Sequence, residues 1–210
     1  MTTDQDVPYG VDFHDAQQTH DWIQSVNVKR PWRQQVFLRF AELVSRATAP
    51  SPTVLELGGG PGFLAHVVLT HCPAIQSYTV LDFARPMLNA AEKRLSRFGN
   101  RVSFRQADFR ALPEPFVQGQ SFDFILSLQA VHELRHKRHT QSLYAAVCTL
   151  LKPDGVFLVA DHLPGDNPTN VRSRLYMTID ENRDTLHAAG FSRVKLEHQF
   201  PQMPLLSARA

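Results

Sequence analysis

The sequence predicts a doubly wound α/β protein, in which a seven-stranded, mostly parallel sheet is flanked by helices and preceded by an N-terminal helical arm. Three observations lead to this prediction. From about residue 52 onward, short apolar runs alternate with longer helix-patterned segments, which is the pattern that produces a parallel sheet. A glycine-rich turn, "GGGPG", joins the first strand of this alternation to the first helix. Residues 1–50 lack the alternation and contain two amphipathic helical patterns.

Length and composition limit the possible domain organisation of the chain. A chain of 210 residues with 43% hydrophobic residues can bury one sizeable core. We therefore expect a helical arm over residues 1–50 and one domain over residues 51–210, joined by the short Pro-rich segment "TAPSPT". The formal net charge of +2 is well short of the positive field of a nucleic-acid binder, so no nucleic-acid partner is expected.

The cysteines and the chain start indicate a compartment. Cys72 and Cys148 form neither a CxxC pair nor a disulfide framework, which favours a reducing environment. The first residues, "MTTDQDVPYG", are polar and acidic, and no apolar run approaches the length of about 18 residues that a membrane span needs. The sequence thus predicts a cytoplasmic protein with no membrane partner.

Seven runs have the composition of strands. In chain order they are "TVLEL", "SYTVLD", "RVSFRQAD", "FDFILSL", "VFLVAD", "RVKLEHQF" and "PLLSARA". The fourth is apolar on both faces, as expected for a central parallel strand. "LKPDG" is predicted to be a turn before the fifth strand.

Two helices carry clear boundary signals. Pro86 suits the first turn of the helix after the second strand, and Gly99 stands where a left-handed C-terminal residue belongs. Asn167 and Pro168 are predicted to open one helix that is closed by Gly190. Its apolar positions are Leu175, Ile179, Leu186 and Ala189.

The glycine-rich turn argues against a dinucleotide. The fingerprint G-x-G-x-x-G would start at Gly58 and Gly60 and would need a third glycine at position 63, where Phe63 stands. Pro61 also removes a backbone N–H from a loop that would donate to phosphates. Because Glu56 ends the strand, the turn suits a cationic adenosine ligand without phosphate.

These residues resemble a known family. "ELGGGPG" is similar to the first motif of the class I S-adenosylmethionine-dependent methyltransferases, and the resemblance runs from about residue 52 to the end of the chain. It implies the Rossmann-like methyltransferase fold, with an antiparallel seventh strand beside strand five. It also implies S-adenosylmethionine as cofactor and S-adenosylhomocysteine as product.

The resemblance assigns cofactor contacts. Asp82 would accept from both ribose hydroxyls, beside Phe83 at the adenine. In the third-strand motif, Asp108 would accept from the adenine amino group while Phe109 contributes its backbone N–H. Ser127 and Leu128 would line the methionine end. The full set of expected cofactor-binding residues is Glu56, Gly58, Gly60, Gly62, Asp82, Phe83, Met87, Asp108, Phe109, Ser127 and Leu128.

The acceptor chemistry centres on His132 and Glu133 in "QAVHEL". A histidine has the pKa range to accept a proton from a hydroxyl, phenol or amine, and the pair resembles the histidine–acid pair of small-molecule O-methyltransferases. We therefore expect methyl transfer to an oxygen of a small-molecule acceptor, with His132 as the candidate general base. Transfer to nitrogen or carbon, an RNA methyltransferase and a non-catalytic cofactor-binding module stay open as alternatives. "SLQA" lacks the Pro-Pro-aromatic pattern of amino-methylating nucleic-acid enzymes.

Strand five ends in Asp161 and His162, which could face one cleft with His132 and Glu133. We expect this group to shape a polar acceptor pocket. A metal is not expected, because Ser127 and Gln129 stand where the metal-dependent branch would have an acid. A homodimer stays open, and the arm is predicted to act as a lid or a dimer contact.

Overall fold

The fold is described from a computed structural model that covers residues 5–46, 48–112, 119–165, 170–201 and 203–210. Contacts divide the chain into two compact units. One comprises Gly10–Asp108, and the other comprises Met1–Tyr9 together with Phe109–Ala210, as far as these are described. The division into an arm over residues 1–50 and a domain over residues 51–210 stays a prediction.

The Gly10–Asp108 unit contains the arm helices and three parallel strands. Its elements are α1 (Ala16–Lys29), α2 (Arg33–Ser45), β1 (Thr53–Leu57), α3 (Phe63–His71), β2 (Ser77–Asp82), α4 (Arg85–Leu95), a 3₁₀ segment (Ser96–Arg101) and β3 (Val102–Gln106). β2 pairs in parallel with β1 and with β3, with Leu55 opposite Thr79 and Val80 opposite Phe104. α2 packs against α3 and buries Val36, Phe40 and Val44, which recur at the spacing of one helix face.

The second unit contains the remaining strands. Its elements are β4 (Phe122–Leu128), α5 (Thr140–Leu150), β5 (Leu151–Ala160), α6 (Arg172–Leu175), α7 (Ile179–Ala188), β6 (Arg193–Phe200) and β7 (Met203–Arg209), with 3₁₀ turns at Phe109–Ala111, Val131–Leu134 and Lys137–His139. β4 and β5 are parallel, whereas β7 is antiparallel to both β5 and β6.

The strand order is β3-β2-β1-β4-β5-β7-β6. This order confirms the predicted seven-stranded, mostly parallel sheet and the antiparallel seventh strand beside strand five. β1 and β4 are mostly apolar and almost fully buried along their length, as is usual for strands covered on both faces.

Two predicted boundaries are wrong. β5 begins at Leu151 and not at Val156. The predicted turn "LKPDG" lies within this strand as an irregular stretch, where the register with β4 shifts between Phe122 and Phe124. Asp154 has φ +65° there, and this left-handed residue lets the chain bulge without ending the strand.

The predicted single helix through Leu175 and Ile179 is two helices. α6 ends at Leu175 and α7 starts at Ile179. Thr178 caps α7: its side chain accepts from the Glu181 N–H at 3.1 Å, and Glu181 Oε2 accepts from the Thr178 N–H at 2.9 Å. This reciprocal pair starts a new helix. The predicted start at Asn167 and Pro168 lies outside the described residues.

Among the residues that the structure describes, no helix is both long enough and apolar enough to cross a membrane.

Candidate functional site

The glycine-rich turn between β1 and α3 is built from left-handed residues. Gly58, Gly60 and Gly62 have φ values of 64°, 54° and 75°, a region in which side chains with a Cβ are strained. Gly62 also packs closely, since a Cβ there would lie 3.0 Å from Leu95 Cδ1. Gly60 instead faces open space, because the nearest atom to a Cβ at this position is Met87 Sδ at 4.0 Å.

Gly59 was not among the predicted site residues. A Cβ at Gly59 would lie 2.6 Å from Val80 Cγ1 and 3.2 Å from Glu56 Cδ. The turn therefore passes directly over the ends of β1 and β2. No side chain larger than hydrogen fits between the turn and these strands without a shift of the neighbours.

Asp82 at the end of β2 is fixed by two backbone donors. The Gly60 N–H donates to Asp82 Oδ2 at 2.8 Å, and the Ala84 N–H donates to Oδ1 at 2.9 Å. The first bond connects the predicted ribose-binding acid directly to the glycine-rich turn.

The residue after Asp82, Phe83, is half-buried and meets the arm. The ring of His14 lies edge-on to it, with 5.2 Å between the ring centroids. Gln106 Nε2 donates to the Phe83 carbonyl at 3.2 Å. Asp108, which follows β3, is also half-buried.

Glu56 is a buried acid at the end of β1. It is 2% exposed, and the Tyr78 hydroxyl donates to its Oε2 at 2.8 Å. Burial raises the pKa of Glu56 to about 8, in spite of the hydrogen bond from Tyr78, which lowers it. A cation bound beside Glu56 would favour the ionised form of this carboxyl group.

A buried arginine, which the sequence patterns did not predict, lies in the same unit. Arg33, at the start of α2, is 6% exposed. Its Nη1 donates to Asn27 Oδ1 at 3.0 Å, whereas its buried Nε has no hydrogen-bond partner among the residues that the structure describes. An arginine in an amphipathic helix is usually placed at the surface, so only tertiary structure could reveal this burial.

The other predicted cofactor residues belong to the second unit. Ser127 and Leu128, at the end of β4, and Phe109 are all buried. The chain turns sharply after Leu128: Gln129 has φ +53°, and its N–H donates to the Ala160 carbonyl at 2.8 Å.

His132 is held by Asp161, which directly follows β5. His132 Nδ1 lies 2.7 Å from Asp161 Oδ1, and the His132 backbone N–H donates to Asp161 Oδ2 at 2.9 Å. The His162 N–H also donates to Asp161 Oδ1, at 2.7 Å. Because His132 makes two of the three contacts with this carboxylate, its imidazole ring has a fixed orientation.

Glu133 faces the other ring nitrogen. Its Oε1 lies 3.3 Å from His132 Nε2, and its Oε2 accepts from Arg135 Nη1 at 3.1 Å. Arg135 is anchored in turn by the first described segment of the chain, because its Nε donates to the Val7 carbonyl at 2.8 Å. The predicted pair of His132 and Glu133 is therefore in contact.

Two more rings complete this group, which we call the His132 cluster (His132, Glu133, Asp161, His162 and Tyr176). Tyr176 lies edge-on to His132, with 5.5 Å between centroids, and lies 5.3 Å from His162. Gln129 Nε2 lies 2.7 Å from His162 Nε2. The four polar residues that the sequence placed in one cleft thus form one contact network.

The cluster controls the charge of His132. Burial lowers the pKa of His132, but the carboxylates of Asp161 and Glu133 outweigh burial and raise it to about 10. Burial likewise raises the pKa of Asp161 and of Glu133, but His132 lowers both below their ordinary values. At neutral pH the ring is therefore an imidazolium between two carboxylates.

Two further observations concern metal binding and the basic run of residues 135–140. In the described part of the chain, no three His, Cys, Asp or Glu side chains are arranged to hold a metal ion. The basic run "RHKRHT" is engaged with acids of the protein itself, since Lys137 pairs with Glu181 and Arg138 pairs with Asp6 at 2.7 Å.

Comparison with known proteins agrees with this geometry. A family model described as a methyltransferase domain matches residues 54–155. The malonyl-[acyl-carrier protein] O-methyltransferase of Paenibacillus sp. (strain JDR-2) is 34% identical over 119 residues, which cover 55% of this chain and 42% of that protein. The chain thus spans less than half the length of this relative.

Solved structures share the fold. An O-methyltransferase family protein from Burkholderia thailandensis has a TM-score of 0.73 at 19% identity, covering 93% of this chain and 60% of that one. Human N-acetylserotonin methyltransferase in complex with S-adenosylmethionine has a TM-score of 0.69 at 19% identity, covering 94% and 57%.

The seven-stranded sheet and the glycine-rich turn define a Rossmann-like methyltransferase fold. Residues 54–155, just under half of the chain, are similar to a methyltransferase domain.

Proposed function

We propose that the protein transfers the methyl group of S-adenosylmethionine to an oxygen of a small-molecule acceptor, with His132 as general base. The observation that carries this proposal is the bond between His132 Nδ1 and Asp161 Oδ1 at 2.7 Å. A carboxylate on Nδ1 keeps the proton on that nitrogen, so that Nε2 would be the nitrogen that accepts a proton once the ring is neutral.

The cofactor would be held by the residues around the glycine-rich turn. Gly60 offers open space beside Met87. Asp82 lies against the turn, because its Oδ2 accepts from the Gly60 N–H, and Glu56 is an acid suited to a cationic group. The proposed set remains Glu56, Gly58, Gly60, Gly62, Asp82, Phe83, Met87, Asp108, Phe109, Ser127 and Leu128.

S-adenosylmethionine supplies an electrophilic methyl group on a sulfonium, and its transfer is an in-line substitution that depends mainly on positioning. His132 would accept the proton that leaves the acceptor hydroxyl at Nε2. Asp161 would stabilise the positive charge that this proton places on the ring. Glu133 occupies Nε2 in the structure, so the acceptor hydroxyl would replace it there.

A second candidate is an acceptor whose oxygen is already ionised, such as a carboxylate. The raised pKa of His132 supports it, because at neutral pH an imidazolium stabilises an anion better than it removes a proton. The similar Paenibacillus protein is named an O-methyltransferase of malonyl-[acyl-carrier protein]. In this version His132 orients the acceptor by charge and takes no proton.

A turnover screen tests the proposal. The protein would be incubated with methyl-labelled S-adenosylmethionine and separate panels of phenols and alcohols, carboxylic acids, amines, carbon acids and RNA. Label in the hydroxyl panel, lost in His132→Asn, is the expected result, and label in the carboxylic acid panel favours the second candidate. Label in RNA, amines or carbon acids alone overturns both, and no label in any panel favours a non-catalytic module.

A further inference from the structure

Arg135 is a buried arginine in a backbone conformation that arginine rarely adopts. It is 7% exposed and directly follows the 3₁₀ turn Val131–Leu134, with φ +66°. A left-handed residue with a long side chain is strained, and a buried guanidinium needs acceptors for its donors. Such a residue persists where its surroundings hold it in place, so its contacts indicate what it does.

Residues 5–9, which we call the strap, hold the Arg135 side chain and belong to the same compact unit. Arg135 Nε donates to the Val7 carbonyl at 2.8 Å, and Nη2 donates to the Pro8 carbonyl. The Val7 N–H donates back to the Arg135 carbonyl at 2.8 Å. The Tyr9 ring lies against the guanidinium, with 4.7 Å between Cζ and the ring centroid. These contacts fix the plane of the guanidinium and, with it, the direction of Nη1.

The other end of the strap is attached by further cationic side chains. Asp6 Oδ1 accepts from Arg138 Nη2 at 2.7 Å and lies 3.0 Å from His139 Nε2. The Gln5 carbonyl accepts from Arg174 Nη1 at 3.1 Å. Exposed ion pairs are weak one by one, but three contacts on two successive residues together keep the backbone of the strap in place.

The Nη1 group that the strap orients donates to Glu133. It lies 3.1 Å from Glu133 Oε2, while Glu133 Oε1 lies 3.3 Å from His132 Nε2. One carboxylate is thus shared between a guanidinium and an imidazole. Its distance from His132 is longer than the 2.7 Å between Asp161 and the other ring nitrogen. The bond at Nε2 is also the one that an incoming methyl acceptor has to replace.

We propose that Arg135 is a positioning residue that draws the Glu133 carboxylate toward itself and so keeps His132 Nε2 accessible to the methyl acceptor. The inference rests on the proposed role of His132. It adds the partner that Glu133 keeps when the acceptor hydroxyl takes its place at Nε2, since a charge-assisted bond to a guanidinium is a strong one. The strap orients Arg135 for this task, and residues 5–9 are thereby connected to the charge of His132.

The charge of the His132 ring depends on the groups that face it. In the described part of the chain these are Asp161 and His162 just after β5, Tyr176 between α6 and α7, and Glu133 on the same turn. Burial raises the pKa of Glu133, but His132 and Arg135 hold it below its ordinary value, so Glu133 is ionised at neutral pH. Loss of the cation at Arg135 would leave the whole charge of this carboxylate to His132, which stabilises the imidazolium further.

Titration of the histidine ring signals by nitrogen NMR tests the inference on the ligand-free protein, with the His132 signals assigned from their absence in His132→Asn. Arg135→Met should raise the titration midpoint of His132 by about one pH unit. Arg135→Lys, which keeps the charge without the planar fork, should give a smaller rise. Val7→Pro removes the N–H that donates to the Arg135 carbonyl and leaves Arg135 itself unchanged, and it should also give a smaller rise.

Arg183→Met is the matched control, because Arg183 also pairs with an acid at 3.1 Å, Asp180; it should leave the His132 midpoint unchanged. In a Glu133→Gln background, Arg135→Met should have almost no effect, since no carboxylate is left to position. A rise that persists in this background would mean that Arg135 acts through the fold, and this result overturns the inference.

A midpoint that falls or does not move in the Arg135 and Val7 variants likewise overturns the inference. If Arg135→Met fails to fold, Arg135→Lys and Val7→Pro decide the question. Arg135→Met should also raise the KM of the acceptor found in the screen, because Glu133 then competes more strongly for Nε2, and an unchanged KM would contradict this. The proposed function is tested separately: full turnover in His132→Asn would overturn it without changing the NMR result.

Discussion

Asp161 contacts both the side chain and the backbone of His132, through Oδ1 to Nδ1 at 2.7 Å and through Oδ2 to the amide N–H at 2.9 Å. The carboxylate thus fixes the ring orientation and the position of the short turn that carries it. This two-point attachment holds the imidazole in one orientation, which the proposed role as general base requires.

Replacing Asp161 by Asn should lower kcat by about 10²- to 10⁴-fold, because the amide no longer stabilises the charged ring or selects its tautomer. Steady-state kinetics on the acceptor found in the screen would measure the loss. Asp123→Asn is the control, since Asp123 is paired with Lys152 and has no proposed role. An Asp161→Asn variant that is folded and fully active would contradict the role of the pair.

The pH profile should depend on Glu133. A base must be neutral to act, and the pKa of His132 is raised to about 10 by Asp161 and Glu133 against the effect of burial. For a hydroxyl acceptor, kcat/KM should therefore rise with pH through the neutral range. Glu133→Gln removes one of the two carboxylates, so the rise should occur at lower pH and activity at pH 7 should increase. A pH profile that Glu133→Gln does not move would exclude proton removal by His132.

Glu56 should reduce the stability of the ligand-free protein at high pH. Burial raises its folded-state pKa to about 8 from the ordinary 4.5, so the folded state binds its proton more tightly than the unfolded state. The contribution to the free energy of unfolding is therefore complete below pH 4.5 and is lost as pH rises through 8. Relative to wild type, Glu56→Gln should gain stability between about pH 5 and about pH 9, by about 1–3 kcal/mol.

Urea unfolding at both pH values would measure this gain, with Glu92→Gln on the exposed face of α4 as the control. The same Glu56→Gln variant should bind S-adenosylhomocysteine more weakly. A variant that is more stable but binds S-adenosylhomocysteine more weakly would indicate that Glu56 serves ligand binding at a cost in stability. A stability difference that is the same at the low and the high pH would contradict the buried, proton-retaining state of Glu56.

Gly62 should tolerate no side chain. Its φ of +75° strains any residue with a Cβ, and the added carbon would lie 3.0 Å from Leu95 Cδ1. Gly62→Ala should lower the free energy of unfolding by about 1–2 kcal/mol. Gly10→Ala, where a Cβ meets nothing within 4 Å, should change it far less. Equal stabilities of the two variants in urea would show that the turn is less constrained than its geometry indicates.

The sheet and the glycine-rich turn could be predicted because their signals are local. Alternating apolar runs specify strands and helices, and the spacing of Gly58, Gly60 and Gly62 specifies the turn. The sequence analysis did not predict the break before α7, although the signal for it is local: Thr178 and Glu181 have the capping-box spacing. The helical spacing of apolar residues continues from Leu175 through Leu186, and this spacing favoured one continuous helix.

The site could be predicted only in part. His132 and Asp161 are 29 residues apart in sequence, and the sequence predicted only that they could face one cleft, because neighbouring parallel strands end at the same edge. The charge of His132 was not foreseen, because it depends on burial and on Glu133 facing the second ring nitrogen. The burial of Arg33 depends on rings from α1, α2 and α3, and no single segment of sequence contains that information.

The most direct test of the account is calorimetric titration of the wild-type protein with S-adenosylhomocysteine and, separately, with NADH. The glycine-rich turn with Phe63 and Pro61 predicts saturable, one-to-one binding of S-adenosylhomocysteine and no measurable binding of NADH. Tight NADH binding without any S-adenosylhomocysteine signal would contradict the central claim.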